Sequence, residues 1–103
     1  MIHALPTSFR LRRRKWSVKH EPVSKNGTYA GFCEPAPKQI ILYDKALNRT
    51  RTPQQQQKTF WHEATHAVLM TMGHPLARDE KFVTGFSLLL EEMVRTARFE
   101  ETP

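Results

Sequence analysis

The sequence contains one cysteine, Cys33, and no long hydrophobic run among its 103 residues. A single thiol excludes both an internal disulfide and a cysteine-rich zinc site. The apolar stretches fall far short of the length of a transmembrane helix. The basic run at residues 12–15 is not followed by an apolar segment, which is the wrong order for a secretory signal peptide. We therefore expect a soluble cytoplasmic protein with no membrane partner.

Acidic residues are also scarce. The chain has 10 aspartates and glutamates and 16 lysines and arginines, which give a net charge of +6. Such a charge is compatible with a nucleic-acid partner, an acidic substrate or solubility alone. The densest basic run, residues 12–15, lies beside Trp16, but no nucleic-acid-binding motif accompanies it. We interpret residues 1–14 as a basic, loosely ordered arm and residues 15–103 as one domain.

Three short segments before residue 52 have the pattern of β-strands. Residues 15–20 alternate apolar with polar side chains, residues 28–33 contain two aromatic residues, and residues 39–43 are mainly β-branched and apolar. Asn26 and Gly27 form a strong signal for a tight turn between the first two segments. Together the segments predict a small antiparallel sheet of about three strands.

The chain after residue 52 predicts a long helix. Thr52 is a suitable N-cap, Pro53 suits the first helical position, and Gln55 completes a capping-box pattern. Apolar residues at helical spacing give this helix a buried side. The helix should end near Met72, with Gly73 as its stop.

A second long helix is predicted from a cap at Asp79 to about Phe99. Its apolar residues recur at helical spacing on one wide face. They are Phe82, Val83, Phe86, Leu89, Leu90, Met93, Val94 and Ala97. The coarse order of three strands followed by two long helices predicts an α+β fold.

The first predicted helix carries the sequence His-Glu-Ala-Thr-His at residues 62–66. His62 and His66 lie one turn apart on one helix face, so that both imidazoles can bind a single ion. Zinc accepts neutral histidine nitrogen and prefers a tetrahedral shell. In an H-E-x-x-H motif the glutamate, here Glu63, is the general base that takes a proton from the zinc-bound water. A pattern this short also occurs by chance, but its position in the middle of a buried helix favours a zinc site.

Residues 60–69, Phe-Trp-His-Glu-Ala-Thr-His-Ala-Val-Leu, resemble the active-site helix of the gluzincin metallopeptidases, the group that includes thermolysin. Over residues 39–99 the chain is similar to minimal metallopeptidase-like proteins of bacteriophages and prophages, in which a glycine and an E-x-x-V pattern follow the motif. Gly73, Glu80 and Val83 match that pattern. The resemblance implies a zincin core, a zinc cofactor and hydrolysis of a protein or peptide substrate. It also implies that an edge strand beside the motif helix pairs with the substrate. Residues 40–43 are the candidate for that strand, and an ordinary core strand is an equally good interpretation of them.

The third zinc ligand has several candidates. A metzincin would place glycine and histidine where this chain has Leu69 and Met72, so that class is excluded. Glu80 matches the E-x-x-V pattern and is preferred, although a favourable charge at a helix N-terminus is its alternative role. Glu91 lies about three turns after Glu80 and comes level with the histidines if the helices form a close antiparallel hairpin, whereas a steep crossing favours Glu80. The remaining candidates are Glu92 and His74.

A peptidase also needs a donor that stabilises the oxyanion. Tyr29, Tyr43, His74 and several arginines qualify chemically, and Thr84 could hydrogen-bond a ligand histidine. The sequence places none of them. An alternative function is a non-enzymatic module, in which zinc stabilises a very small fold and the basic surface binds an acidic protein or nucleic acid.

Overall fold

The computed structural model describes residues 5–100, which form five strands and two helices. In chain order these are β1 (Ser8–Leu11), β2 (Arg14–Val23), β3 (Gly31–Glu34), β4 (Gln39–Ala46), β5 (Arg49–Thr50), α1 (Pro53–Met72) and α2 (Glu80–Thr96). The predicted α+β class is confirmed. Of the predicted N-terminal arm, residues 1–4 lie outside the described residues, whereas Ser8–Leu11 form β1 and pair with β2.

β4 lies inside a mixed sheet with the order β1-β2-β4-β3, and β5 pairs with the end of β4. β2 and β4 are parallel, and the other paired strands are antiparallel. The prediction of a purely antiparallel sheet of three strands is therefore wrong. The physical reason lies in β4 itself, because Ile40, Ile41 and Leu42 are consecutive and all buried. Such a run is typical of a central strand, and β4 has β2 on one edge and β3 on the other.

The predicted turn at Asn26 and Gly27 is present. Gly27 adopts a φ of 76°, and its N–H donates to the carbonyl of Ser24 at 2.9 Å. The side chain of Asn26 accepts a hydrogen bond from the N–H of Thr28 at 3.1 Å. This turn follows β2 and leads to β3, but β3 pairs with β4 and leaves β2 free to pair in parallel.

The basic run at residues 12–15 belongs to a β-hairpin. Arg12 and Arg13 adopt φ values of 49° and 68° and form the two-residue turn between β1 and β2. Phe9 of β1 stacks on Trp16 of β2 with ring centroids 6.0 Å apart, and it meets Phe60 of α1 edge-on at 6.1 Å. The hairpin is therefore attached to the hydrophobic core, which also contains Val18, Cys33, Ile40, Leu42 and Ala67.

α1 begins and ends at the predicted residues. The Thr52 hydroxyl accepts a hydrogen bond from the N–H of Gln55, and the Gln55 side chain accepts one from the N–H of Thr52. Gly73 adopts a left-handed φ of 66° at the C-cap. Phe60 and Ala67 bury one side of α1 against the sheet, which fixes the orientation of the H-E-x-x-H segment.

α2 begins as predicted, because the Asp79 carboxylate accepts a hydrogen bond from the N–H of Phe82 at 3.0 Å. It ends at Thr96 and not near Phe99. The residues of α2 that are buried are Val83, Ser87 and Glu91. The predicted apolar face is largely exposed, and its most exposed members include Phe86, Leu89 and Met93. Within residues 5–100, neither helix combines the length and the apolar character that crossing a membrane requires.

Candidate metal centre

His62 and His66 lie one turn apart on the side of α1 that faces α2. Their ring centroids are 5.0 Å apart, and the ring planes are inclined by 69°. The His66 side chain is buried, and the His62 side chain is partly exposed. Burial lowers the pKa of His62, and His66 lowers it further, whereas Glu80 raises it. The lower pKa favours the neutral imidazole, which is the form that binds a metal.

Glu80, the first residue of α2, places its carboxylate against both imidazoles. One oxygen lies 3.1 Å from Nε2 of His62, and the other lies 3.0 Å from Nε2 of His66. The ligand atoms of the three residues all lie within 4.8 Å of one another, and they form a cluster that could hold a metal ion. Two ligand atoms at bonds of about 2.0 Å and a tetrahedral angle would be about 3.3 Å apart. The two nitrogen–oxygen distances, 3.1 Å and 3.0 Å, are close to that separation.

The hydrogen bond of His66 supports the same interpretation. Its Nδ1 lies 2.7 Å from the carbonyl oxygen of Ala77, and a carbonyl can only accept, so Nδ1 carries the proton. In a neutral ring Nε2 then presents a lone pair towards the negative oxygen of Glu80. Two acceptors at 3.0 Å repel each other unless a cation, either a second proton or a metal ion, lies between them. The donor set and its surroundings fit a divalent metal.

The other proposed ligands lie apart from this cluster within residues 5–100. Glu91 is buried on α2 and pairs with Arg95, its Oε2 lying 3.0 Å from Nε of that arginine. Glu92 is exposed. Nδ1 of His74 accepts a hydrogen bond from the N–H of Leu76, which makes His74 part of the turn between the helices. Of the candidates, the structure brings only Glu80 to the two histidines.

Glu63 is only 9% exposed, and it lines the same groove as the cluster. Burial raises its pKa from 4.5 to about 7, the charge of His66 opposes that rise, and Glu80 adds to it. A carboxylate with a pKa close to neutrality can both accept and return a proton at physiological pH. Glu63 is therefore chemically suited to proton transfer in the groove that also contains the three ligand residues.

The cluster lies in a groove of about 880 Å³ between β3 and the two helices. Gly31 of β3 makes this closeness possible. A Cβ at Gly31 would lie 2.5 Å from Cγ2 of Thr59 and 3.4 Å from Cγ of Glu63, both on α1. A glycine inside a strand is a sign of close approach by another element, so Gly31 is the feature of the sequence that indicates this contact.

The edge strand beside α1 is β3, because β4, which contains the predicted residues 40–43, is paired on both sides. Residues 40–43 therefore form a core strand, and their assignment as the substrate-binding edge strand is wrong, because a run of consecutive apolar residues is typical of a strand that is covered on both sides. The N–H of Tyr43 donates to the carbonyl of Ala30 at 3.0 Å. Backbone groups alternate in direction along an antiparallel strand, so Phe32 also bonds to β4. The N–H and C=O groups of Gly31 and Cys33 consequently face away from β4, towards the edge of β3 that pairs with no other strand within residues 5–100.

Only some of the candidates for the oxyanion donor and for the hydrogen-bond partner of a ligand histidine line this groove. The residues that line the groove include Tyr29, Arg78 and Thr84, whereas Tyr43 and His74 do not line it. Arg78, two residues before Glu80, is the arginine that lines the groove, whereas the sequence indicated only arginines in general. Its position depends on the turn between the helices, for which the sequence carries little signal.

Comparison with protein-family models, with curated proteins and with solved structures finds no match to this chain. The resemblance to the gluzincins rests on the residues of the motif and remains a prediction.

Proposed function

We propose that this protein is a zinc-dependent metallopeptidase in which His62, His66 and Glu80 hold the metal. The observation that carries the proposal is the set of three ligand atoms within 4.8 Å of one another, in a groove that Glu63 also lines. Two imidazole nitrogens and one carboxylate are a common protein shell of catalytic zinc, which keeps a fourth position open. When bound, zinc would polarise the substrate carbonyl and make water more acidic.

Glu63 supplies the acid–base chemistry in this proposal. Its side chain adjoins the groove from the helix that carries both histidines, one residue after His62. It would accept a proton from the attacking water and return that proton to the leaving amine. The surroundings that bury Glu63 also limit access of bulk water to the carboxylate, so the proton stays available for the leaving group.

β3 provides the proposed binding surface for the substrate backbone. The free N–H and C=O groups of Gly31 and Cys33 can pair with an extended peptide, which would lie along the groove as an added strand. Contacts of this type recognise the peptide backbone and demand little of its side chains. The substrate class they favour is therefore an extended segment of a protein or peptide.

The test combines zinc analysis with proteolysis of an unfolded protein substrate such as reduced casein. We expect about one zinc per chain in the wild type and in Glu63→Gln, with cleavage only by the wild type. Losing the general base should lower the rate by a factor of about 100 or more. His62→Ala and His66→Ala variants should lose both zinc and activity.

Two results would contradict the proposal in different ways. Zinc binding that survives both histidine substitutions would show that the metal site has been assigned wrongly. Zinc binding without cleavage of any unfolded substrate would support the non-enzymatic module instead.

A further inference from the structure

The positive charge of the chain is concentrated in the half that precedes α1. Residues 1–52 contain eleven lysines and arginines and three carboxylates, a net charge of +8. Residues 53–103 contain five lysines and arginines and seven carboxylates, which give a net charge of −2. The sum is the total of +6, so the positive charge belongs to the sheet and not to the helices that carry the metal centre. Such a division of charge gives the sheet a positive potential, which attracts polyanions.

Six cations lie at the tip of the β1–β2 hairpin and beside it, on both faces of its two strands, and we term this group the hairpin surface. It consists of Arg10, Arg12, Arg13, Arg14, Lys15 and Lys38. Arg12 and Arg14 line a cavity of about 440 Å³ together with Lys38, which reaches it from the turn between β3 and β4. The backbone of Lys38 is held there, because its carbonyl accepts a hydrogen bond from the N–H of Ser17 at 3.1 Å.

None of the ion pairs within residues 5–100 involves a cation of the hairpin surface. The arginines at residues 12–14 are exposed, and so is Lys15. Like charges at this density repel one another, and a bound polyanion would relieve that repulsion.

The charges are also held on a fixed frame. Arg10 pairs with Lys15, and Leu11 pairs with Arg14, across the hairpin. The stack of Phe9 on Trp16 attaches both strands to the core. A flexible basic arm would lose much conformational entropy on binding, whereas this hairpin presents its cations already arranged.

We propose that the hairpin surface binds the phosphate backbone of a nucleic acid. Four of its six cations are arginines, whose planar guanidinium groups pair with two phosphate oxygens at once. An anionic membrane is a weaker candidate, because surface binding to lipid also needs apolar side chains that insert. The exposed tip, residues 12–15, has none. Contact with phosphates predicts binding to many sequences, with affinity that falls steeply as salt increases.

The test is fluorescence anisotropy of the full chain with labelled oligonucleotides of about 20 units, one a duplex DNA and the other a single-stranded RNA of mixed sequence. The variant is Arg12→Asn with Arg13→Gly, because Asn-Gly favours a two-residue turn in which both φ values are positive. The loss of two phosphate contacts should weaken duplex binding roughly 60-fold at about 0.1 M salt. It should also reduce the slope of log K against log salt by about 1.8 for a duplex and about 1.4 for a single strand.

The control variant, Lys25→Gln with Arg98→Gln, removes the same net charge at exposed positions outside the hairpin surface. It should change the affinity by less than about threefold, and thermal unfolding should show that both variants are folded. The proposal is wrong if the two variants lose affinity equally, because net charge alone would then explain binding. It is also wrong if the wild type binds neither oligonucleotide, whether or not it binds vesicles rich in phosphatidylserine. None of these outcomes depends on zinc or on peptidase activity.

Discussion

Nδ1 of His66 lies 2.7 Å from the carbonyl oxygen of Ala77, and this hydrogen bond joins α1 to the turn that precedes α2. The turn is short and held by its own backbone, since the N–H of Ala77 donates to the carbonyl of His74. Glu80 follows three residues after Ala77. One contact therefore orients a histidine ring and also brings the carboxylate of the next helix to it. A backbone carbonyl does this without adding charge to the site.

The tautomer of His66 is a direct consequence. We expect the zinc-loaded protein to contain His66 with its proton on Nδ1 and with Nε2 bound to the metal, because Ala77 can only accept. Long-range nitrogen–proton NMR correlations distinguish the two ring nitrogens. His20, whose side chain is 46% exposed and lies outside the metal centre, serves as an internal reference. A proton on Nε2 of His66 in the zinc-loaded protein would contradict the assignment.

The carboxylate that completes the donor set can be tested on α2. Glu80→Gln keeps the shape of the side chain and removes its charge, so the zinc affinity should fall by a factor of about 100 or more. Competition with a chromogenic chelator measures that affinity. Glu92→Gln is the matched control, because Glu92 is exposed on the same helix and lies outside the donor cluster. Its affinity should remain within about twofold of the wild type. If Glu91→Gln loses zinc and Glu80→Gln does not, the third ligand is Glu91.

Local chemistry made α1 predictable. The reciprocal hydrogen bonds of Thr52 and Gln55 and the left-handed Gly73 involve residues that are close in sequence, and each has a recognisable pattern. The pair of histidines follows from helical spacing alone once that helix is known. These features needed no information about the rest of the fold.

Long-range packing explains what the sequence did not predict. The parallel pairing of β2 with β4 joins residues such as Ser17 and Gln39, and no turn signal specifies it. Three consecutive buried residues at Ile40, Ile41 and Leu42 were the available sign of a central strand. Likewise, Glu80 and Glu91 occupy nearly the same stripe of α2. Only the turn between the helices decides which of the two reaches the histidines.

The contact between β3 and α1 should tolerate no side chain at Gly31. Gly31→Ala would place Cβ 2.5 Å from Cγ2 of Thr59 and 3.0 Å from the carbonyl oxygen of Ile41. Thr59 is buried and accepts a hydrogen bond from Arg51, so it cannot rotate away freely. We expect a loss of about 1–3 kcal/mol in the free energy of unfolding, measured with urea.

Gly85→Ala is the control for that substitution, because a Cβ at Gly85 meets nothing within 4 Å. Gly85 lies within α2, where alanine is favoured over glycine, so its substitution should stabilise the protein by about 0.5–1 kcal/mol. The close packing of β3 on α1 would be refuted if both substitutions shifted the urea midpoint upwards.

Cys33 should react slowly with thiol reagents in the folded protein. Burial raises the pKa of its thiol from 9.0 to about 12, and the nearby carboxylates of Glu63 and Glu34 contribute to the rise. At about pH 8 the thiolate fraction is then about 1000-fold lower than in the unfolded chain. A more basic thiolate is also a better nucleophile, and this raises the rate of the folded protein by about 20-fold. The expected net effect is a reaction roughly 50-fold slower than in urea.

The pH dependence of this reaction has a defined sign. The folded state holds the thiol proton more tightly, so this contribution to stability is complete below pH 9.0 and is lost as the pH rises towards about 12. Between about pH 8 and pH 10 the rate in the folded protein should keep rising about tenfold per unit, whereas the rate in urea should level off above about pH 9. Stopped-flow measurement with a disulfide reagent follows both rates. Parallel curves in the two states would show that Cys33 is not protected by the groove wall.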